Sequence, residues 1–193
     1  MKQKLLHKLN KRQGFSLTEM LATVLIMGFV GIIITTGAAT VQRVYRKVVA
    51  HANAQTALTT TITLMKDQLA FADQESVGNG SETGTGFGNS QTIVFKNLNS
   101  GEQTITLNPG TANRGFTLTY TTGDGTGTNS TSLPLLSDSA ITSDLCVCFD
   151  TDGGFTWDPT TKVITVTNLV AKDTRTDTVQ ARASFKVLLV NDK

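Results

Sequence analysis

The sequence predicts an α+β fold: one long N-terminal α-helix, half membrane-spanning and half amphipathic, packed on a small antiparallel β-sheet. Three observations point there. Residues 15–39 are almost wholly apolar. Apolar residues then recur at mostly three- and four-residue steps as far as Ala72, the period of one helix face. Beyond that, short runs rich in Thr, Val, Ile and Leu follow one another with little helix between them, which favours antiparallel pairing.

The first element is short and basic. Residues 1–14 read MKQKLLHKLNKRQG, with Lys2, Lys4, Lys8, Lys11 and Arg12 and no acidic residue. Composition changes abruptly at Phe15. From there to Ala39 the only charge is Glu19. A helix of that length spans roughly the 30 Å hydrocarbon core of a bilayer. The basic flank places its N-terminal end in the cytoplasm, so all that follows Ala39 is delivered outside.

The helical pattern continues through residues 40–75. Val41, Tyr45, Val48, Ala52, Leu58, Ile62, Met65, Leu69 and Ala72 form one apolar stripe on a polar helix, and no Pro or Gly interrupts residues 38–77. The reading is a single helix from about Leu17 to about Ala72. An amphipathic helix gains most of its stability from packing, so the stripe needs a partner surface.

Residues 76–193 make a β-rich extracellular head. Residues 76–90 are rich in Gly, Ser, Thr and Asn and read as a loop. Strands are expected at 92–96, 103–107, 116–121, 145–149, 162–167 and 178–190, several alternating polar with apolar residues as half-buried strands do. Residues 98–101 suit a tight hairpin between the first two strands, and residues 123–132 read as a second loop.

Several function classes find little support. The formal net charge is +2, which gives no global nucleic-acid footprint. The two histidines are His7 and His51, and no Ser/His/Asp, Cys/His or paired-carboxylate set stands out, so no catalytic activity and no cofactor are expected. Cys146 and Cys148 form a C-x-C pair. On a strand their Cα atoms sit near the upper limit for bridging, so two free, buried thiols are expected, with a strained disulfide as the lesser alternative. Asp150, Asp152 and Asp158 have calcium-like spacing around Gly153-Gly154 but lack the complete loop pattern, and a hairpin turn using Asp-Gly is the plainer reading. Arg43, Arg46 and Lys47 follow the apolar run. They suit a solvated helix face or lipid headgroups, or else acidic groups of a neighbouring subunit or DNA.

The most informative segment is Arg12-Gln13-Gly14-Phe15-Ser16-Leu17-Thr18-Glu19-Met20. A short basic leader ends in Gly, Phe follows, and Glu stands four residues on at the opening of an apolar helix. In this the chain resembles the type IV pilin family, including the pseudopilins of type II secretion and DNA-uptake systems. The resemblance covers roughly the first quarter of the chain. It implies that a membrane prepilin peptidase cuts between Gly14 and Phe15 and that the new amino group of Phe15 is N-methylated. The mature subunit then waits in the membrane until an assembly ATPase and a membrane platform protein add it to an extracellular filament of like subunits. The function implied is a structural subunit of a type IV pilus or related filament. The alternative is a minor or tip pilin or pseudopilin with a binding role in adhesion, DNA uptake or secretion. Many major pilins carry a proline in the apolar segment, whereas the first proline here is Pro109.

The chemistry at Glu19 can be argued from the residues. A carboxylate within an apolar helix costs about 2.5–3.5 kcal/mol at mid-bilayer and less near the interface. Cleavage after Gly14 creates a cationic amine at Phe15, four residues from Glu19 and on the same helix face. Between packed subunits, one chain's amine then neutralises another's carboxylate and fixes the axial register. Two plainer roles remain open. Residues 16–19 also spell an S-x-x-E capping box, and Glu19 can snorkel to the headgroups. Two other fates of the N-terminus also remain: conventional signal cleavage after the small residues 37–39, or an unprocessed anchor. The mature N-terminus, at Phe15, Thr40 or Met1, distinguishes them.

Overall fold

The computed structural model describes residues 16–80, 83–97, 103–109, 115–122, 129–136 and 145–190. The chain divides into two compact units, residues 1–47 and 48–193. Helix α1, Leu17–Ala70, runs through both.

In the first unit every described residue belongs to α1 or its cap, and all are exposed. Ser16 starts the helix. Its carbonyl accepts the amides of Glu19 and Met20 at 2.9 and 3.1 Å. Its hydroxyl lies 2.9 Å from that of Thr18, so the first turn is closed mainly through the backbone. The helix carries a stretch long and apolar enough to cross a membrane. Its threonines suit that role. Thr35, Thr36 and Thr40 donate to the carbonyls of Gly31, Ile32 and Thr36 at 2.7, 2.9 and 3.0 Å, so each hydroxyl is satisfied within its own helix, as an apolar medium requires.

The second unit is the α+β head. The end of α1 buries Ala54, Ala57, Leu58, Thr61, Met65 and Leu69 on one face. A 3₁₀ turn follows at Gln74–Ser76, then eight strands: β1 Phe87–Ser90, β2 Ile93–Lys96, β3 Thr104–Pro109, β4 Phe116–Thr122, β5 Asn129–Pro134, β6 Leu145–Asp158, β7 Val163–Asp173 and β8 Thr178–Leu188. They make two four-stranded antiparallel sheets, in the orders β2-β3-β4-β5 and β1-β6-β7-β8. The expected α+β architecture is therefore present, with two sheets where one was expected.

One apolar core joins the helix to both sheets. It contains Met65 and Leu69 of α1, Phe95, Ile105, Leu107 and Phe116 of the first sheet, and Val147, Phe155, Trp157, Ile164 and Val166 of the second. Phe116 meets Phe149 edge-on at 5.0 Å between ring centroids, and Phe149 meets Phe155 at 5.1 Å. This favoured T-shaped geometry links β4 to β6. Lys66 places its ammonium 5.4 Å from the Phe185 ring centroid, a cation–π contact between α1 and β8. The Val190 amide donates to the Ala70 carbonyl at 3.0 Å, satisfying one of the orphan acceptors of the helix end.

Four details differ from the sequence reading. First, the helix ends at Ala70. Ala72 instead bridges Asn97, beside an Asp73 amide that donates to the Lys96 carbonyl; this backbone pairing replaces a further helical turn. Second, the apolar stripe enters the core only from Ala54, while Val41, Tyr45, Val48 and Ala52 stay exposed. Third, residues 76–90 contain a strand as well as turns, and residues 129–132 belong to β5. Phe87 anchors β1 in the core, and β5 is an exposed polar edge strand without alternation. Of the second loop, residues 123–128 lie outside the described residues, as does the expected hairpin at 98–101, although β2 and β3 pair antiparallel on either side of it.

The fourth difference concerns the Asp-Gly segment. Residues 150–154 form no hairpin turn but lie inside β6, where they make a bulge. Phe149 pairs with Leu169 and Gly154 with Thr167, so residues 150–153 stand opposite Asn168 alone. The distortion continues into the next strand. Val166 pairs with Phe185 and Leu169 with Ala183, leaving residues 167–168 opposite Ser184. Asn168 takes a left-handed φ of 51° and donates its amide to the Ser184 hydroxyl at 3.0 Å. Left-handed backbone is tolerated better by Asn than by most residues.

Candidate functional site

Gly14 and Phe15, the expected cleavage pair, lie outside the described residues. Glu19 falls in the first turn of α1, exposed. Its carboxylate has no ion-pair partner among the described residues. An acidic group in the first turn is favourable for the helix, because the amide ends there carry partial positive charge.

Around and beyond Glu19, α1 presents unpartnered apolar surface. Leu17, Leu21, Val24, Met27, Phe29, Ile33 and Ile34 are all exposed. The surface extends past the charge-free stretch, since Val41, Val44, Tyr45, Val48 and Val49 are exposed among Arg43, Arg46 and Lys47. Soluble monomers rarely leave so large an apolar surface uncovered, and such surface marks a membrane or protein interface. A Cβ built on Gly28, Gly31 or Gly37 meets nothing within 4 Å, so these glycines are not required by packing within the chain.

The three acidic calcium candidates are not drawn together. Asp150 pairs with Arg182 of β8. Asp152 lies in the bulge, where its carbonyl accepts the Asn89 amide group at 3.3 Å. Asp158 ends the strand several residues on. Its two oxygens accept the Thr160 amide at 2.9 Å and the Thr161 hydroxyl at 2.8 Å, which closes the β6–β7 turn. These bonds, Thr161 first, hold its carboxyl below the ordinary carboxylate range. Among the described residues no group of three or more His, Cys, Asp or Glu side chains is placed to hold a metal ion.

The C-x-C pair is free, with Cys146 buried and Cys148 half-buried. A separate open cleft of about 320 Å³ lies beside the 3₁₀ turn, lined by Asp73, Glu75, Ser76, Thr83, Val94, Lys96 and Thr104. It joins two carboxylates and a lysine without a histidine or cysteine among its lining residues. Sequence reasoning located Glu19 and the apolar run directly. It did not foresee the exposure of Val41 to Val49, because a stripe shows which face is apolar but not what covers it.

Compared with protein-family models, curated proteins and solved structures, the chain matches none.

Proposed function

We propose that this chain is the precursor of a structural subunit of a type IV pilus or related filament. It is cut between Gly14 and Phe15, N-methylated at Phe15, held in the membrane, and polymerised outside through its N-terminal helix. The observation that carries this reading is a membrane-length helix, exposed along its whole apolar part, whose charge-free run opens at Glu19. In an ordinary anchor that carboxylate serves only the start of the helix. In a bundle of such helices it becomes useful once proteolysis supplies the Phe15 amine of a neighbouring subunit. The leader must go first, because Lys2, Lys4, Lys8, Lys11 and Arg12 cannot enter an apolar bundle. Repeated head-to-tail contacts of this kind build an open helical polymer rather than a closed ring.

The first test is mass spectrometry of the mature N-terminus from sheared surface filaments. N-methyl-Phe15 is the expected result, and an intact Met1 or a Thr40 start on surface-exposed protein overturns the reading. The second test is Glu19→Gln, which keeps a hydrogen-bonding side chain in the first turn and removes only the charge. Cleavage should persist and filament yield should collapse; wild-type assembly by the variant defeats the charge-pairing step. The lack of a proline before Pro109 favours a second reading, a minor or tip subunit with a binding role. Abundance separates the two, since a major subunit dominates sheared filaments and a tip subunit is scarce.

A further inference from the structure

Cys146 and Cys148 lie on one face of β6, opposite Lys172 and Val170 of β7. Cys146 and Val170 are both buried, yet neither belongs to the main apolar core; they form a small patch on the other face of the sheet. Both thiols are free. Half-buried Cys148 leaves the pair reachable from solvent.

We infer that Cys146 and Cys148 form a two-coordinate thiolate site for a soft monovalent d¹⁰ cation of the Cu(I) class. Geometry favours this over a disulfide. Alternate residues of an extended strand stand about 6.5–7 Å apart at Cα, with near-parallel Cα–Cβ bonds. A disulfide requires Cβ atoms about 3.8 Å apart and Cα atoms within about 6.8 Å. The pairings Cys146–Lys172 and Cys148–Val170 hold β6 against the bend that closure would need. A metal held between two sulfurs tolerates a wider spacing, since each metal–sulfur bond is itself about 2.3 Å.

The ligand count narrows the metal. No third His, Cys, Asp or Glu joins the pair among the described residues, so those residues supply two thiolates and not the four ligands of a zinc or iron–sulfur site. Two thiolates alone satisfy a linear monovalent ion, and soft sulfur selects Cu(I). On binding, each thiol releases its proton to solvent as its sulfur takes up the metal, with no change of oxidation state. Two thiolates and one monovalent cation carry a net charge of −1. The Lys172 ammonium, which is also 3.6 Å from exposed Asp177, lowers that cost. Asp150 is held by Arg182 and does not compete as a ligand.

The test is anaerobic titration of the full chain in detergent with Cu(I) held by a competing chelator, followed by thiolate-to-metal absorption in the ultraviolet. One Cu(I) per chain is expected, and either Cys146→Ser or Cys148→Ser should abolish the band. Lys172→Ala should weaken binding about tenfold without changing the stoichiometry. Thermal melts check folding; if the variant at buried Cys146 unfolds, the one at half-buried Cys148 decides. Absence of the band in the reduced wild-type protein, or full binding by the Cys148→Ser variant, overturns the site. So does a disulfide formed by oxidised glutathione as readily as in an unstrained peptide, because the strand then does bend.

Discussion

At Gly154 a single added methyl group has nowhere to go. A Cβ there would lie 2.8 Å from the Ser90 carbonyl oxygen and closer still to the Asn89 side chain. At neighbouring Gly153 it would lie 2.8 Å from the Asn168 carbonyl. Both glycines let β1 and β7 approach the bulge of β6. Gly154→Ala is expected to cost about 1–3 kcal/mol, the usual range for overpacking, as read from the urea midpoint of the head. Asp158 acts differently, through charge. Its folded carboxyl is held below its ordinary range by Thr161 and Thr160, so its contribution is present above that range. It is lost as pH falls through the folded value. Melting wild type and Asp158→Ala in parallel from pH 7 to pH 2 should show the wild-type advantage shrinking to nothing at the acid end. A constant gap would mean that the turn is held by something other than the ionised carboxylate.

Among elements, α1 does two jobs with one continuous backbone. From Ala54 onward it buries a narrow face in the head, and before Val49 it buries nothing within the chain. Substitutions along it should therefore separate into two classes. Met65→Ala removes a fully buried side chain and should destabilise the head by about 2–5 kcal/mol. Val44→Ala touches an exposed position and should leave head stability within about 0.5 kcal/mol. Chemical denaturation of both variants checks the contrast. A matching loss at Val44 would show that the apolar residues before Ala54 already pack in the isolated subunit.

For the whole molecule, the core that unites α1 with both sheets draws all its members from the unit that starts at Val48. A fragment of residues 48–193 should consequently fold cooperatively and stay in solution without detergent. The full chain carries the exposed apolar run of α1 and should need detergent. Circular dichroism melts and size-exclusion chromatography of the two proteins make the comparison. Failure of the fragment to melt cooperatively would show that residues 1–47 are needed for the head to fold.

The sequence by itself determined the long helix, the abrupt start of its apolar part, the place of Glu19 and six of the strands. Each rests on local periodicity or on runs of one character, which a linear chain displays openly. Tertiary structure alone decided the rest. Strand β5 is exposed on both faces and β1 offers one buried phenylalanine, so neither carries a period of burial, and only pairing with a neighbour makes them strands. Residues 150–154 spell a turn locally, but β7 pairs with Phe149 before them and with Gly154 at their end, which carries the strand through and turns the surplus residues into a bulge. Where α1 leaves the core was likewise invisible, since a stripe from Val41 to Ala72 looks uniform until two sheets cover only its later part. The joining of Cys146 to Lys172, and of Asp150 to Arg182, depends on strand register, which is fixed by contacts distant in the chain.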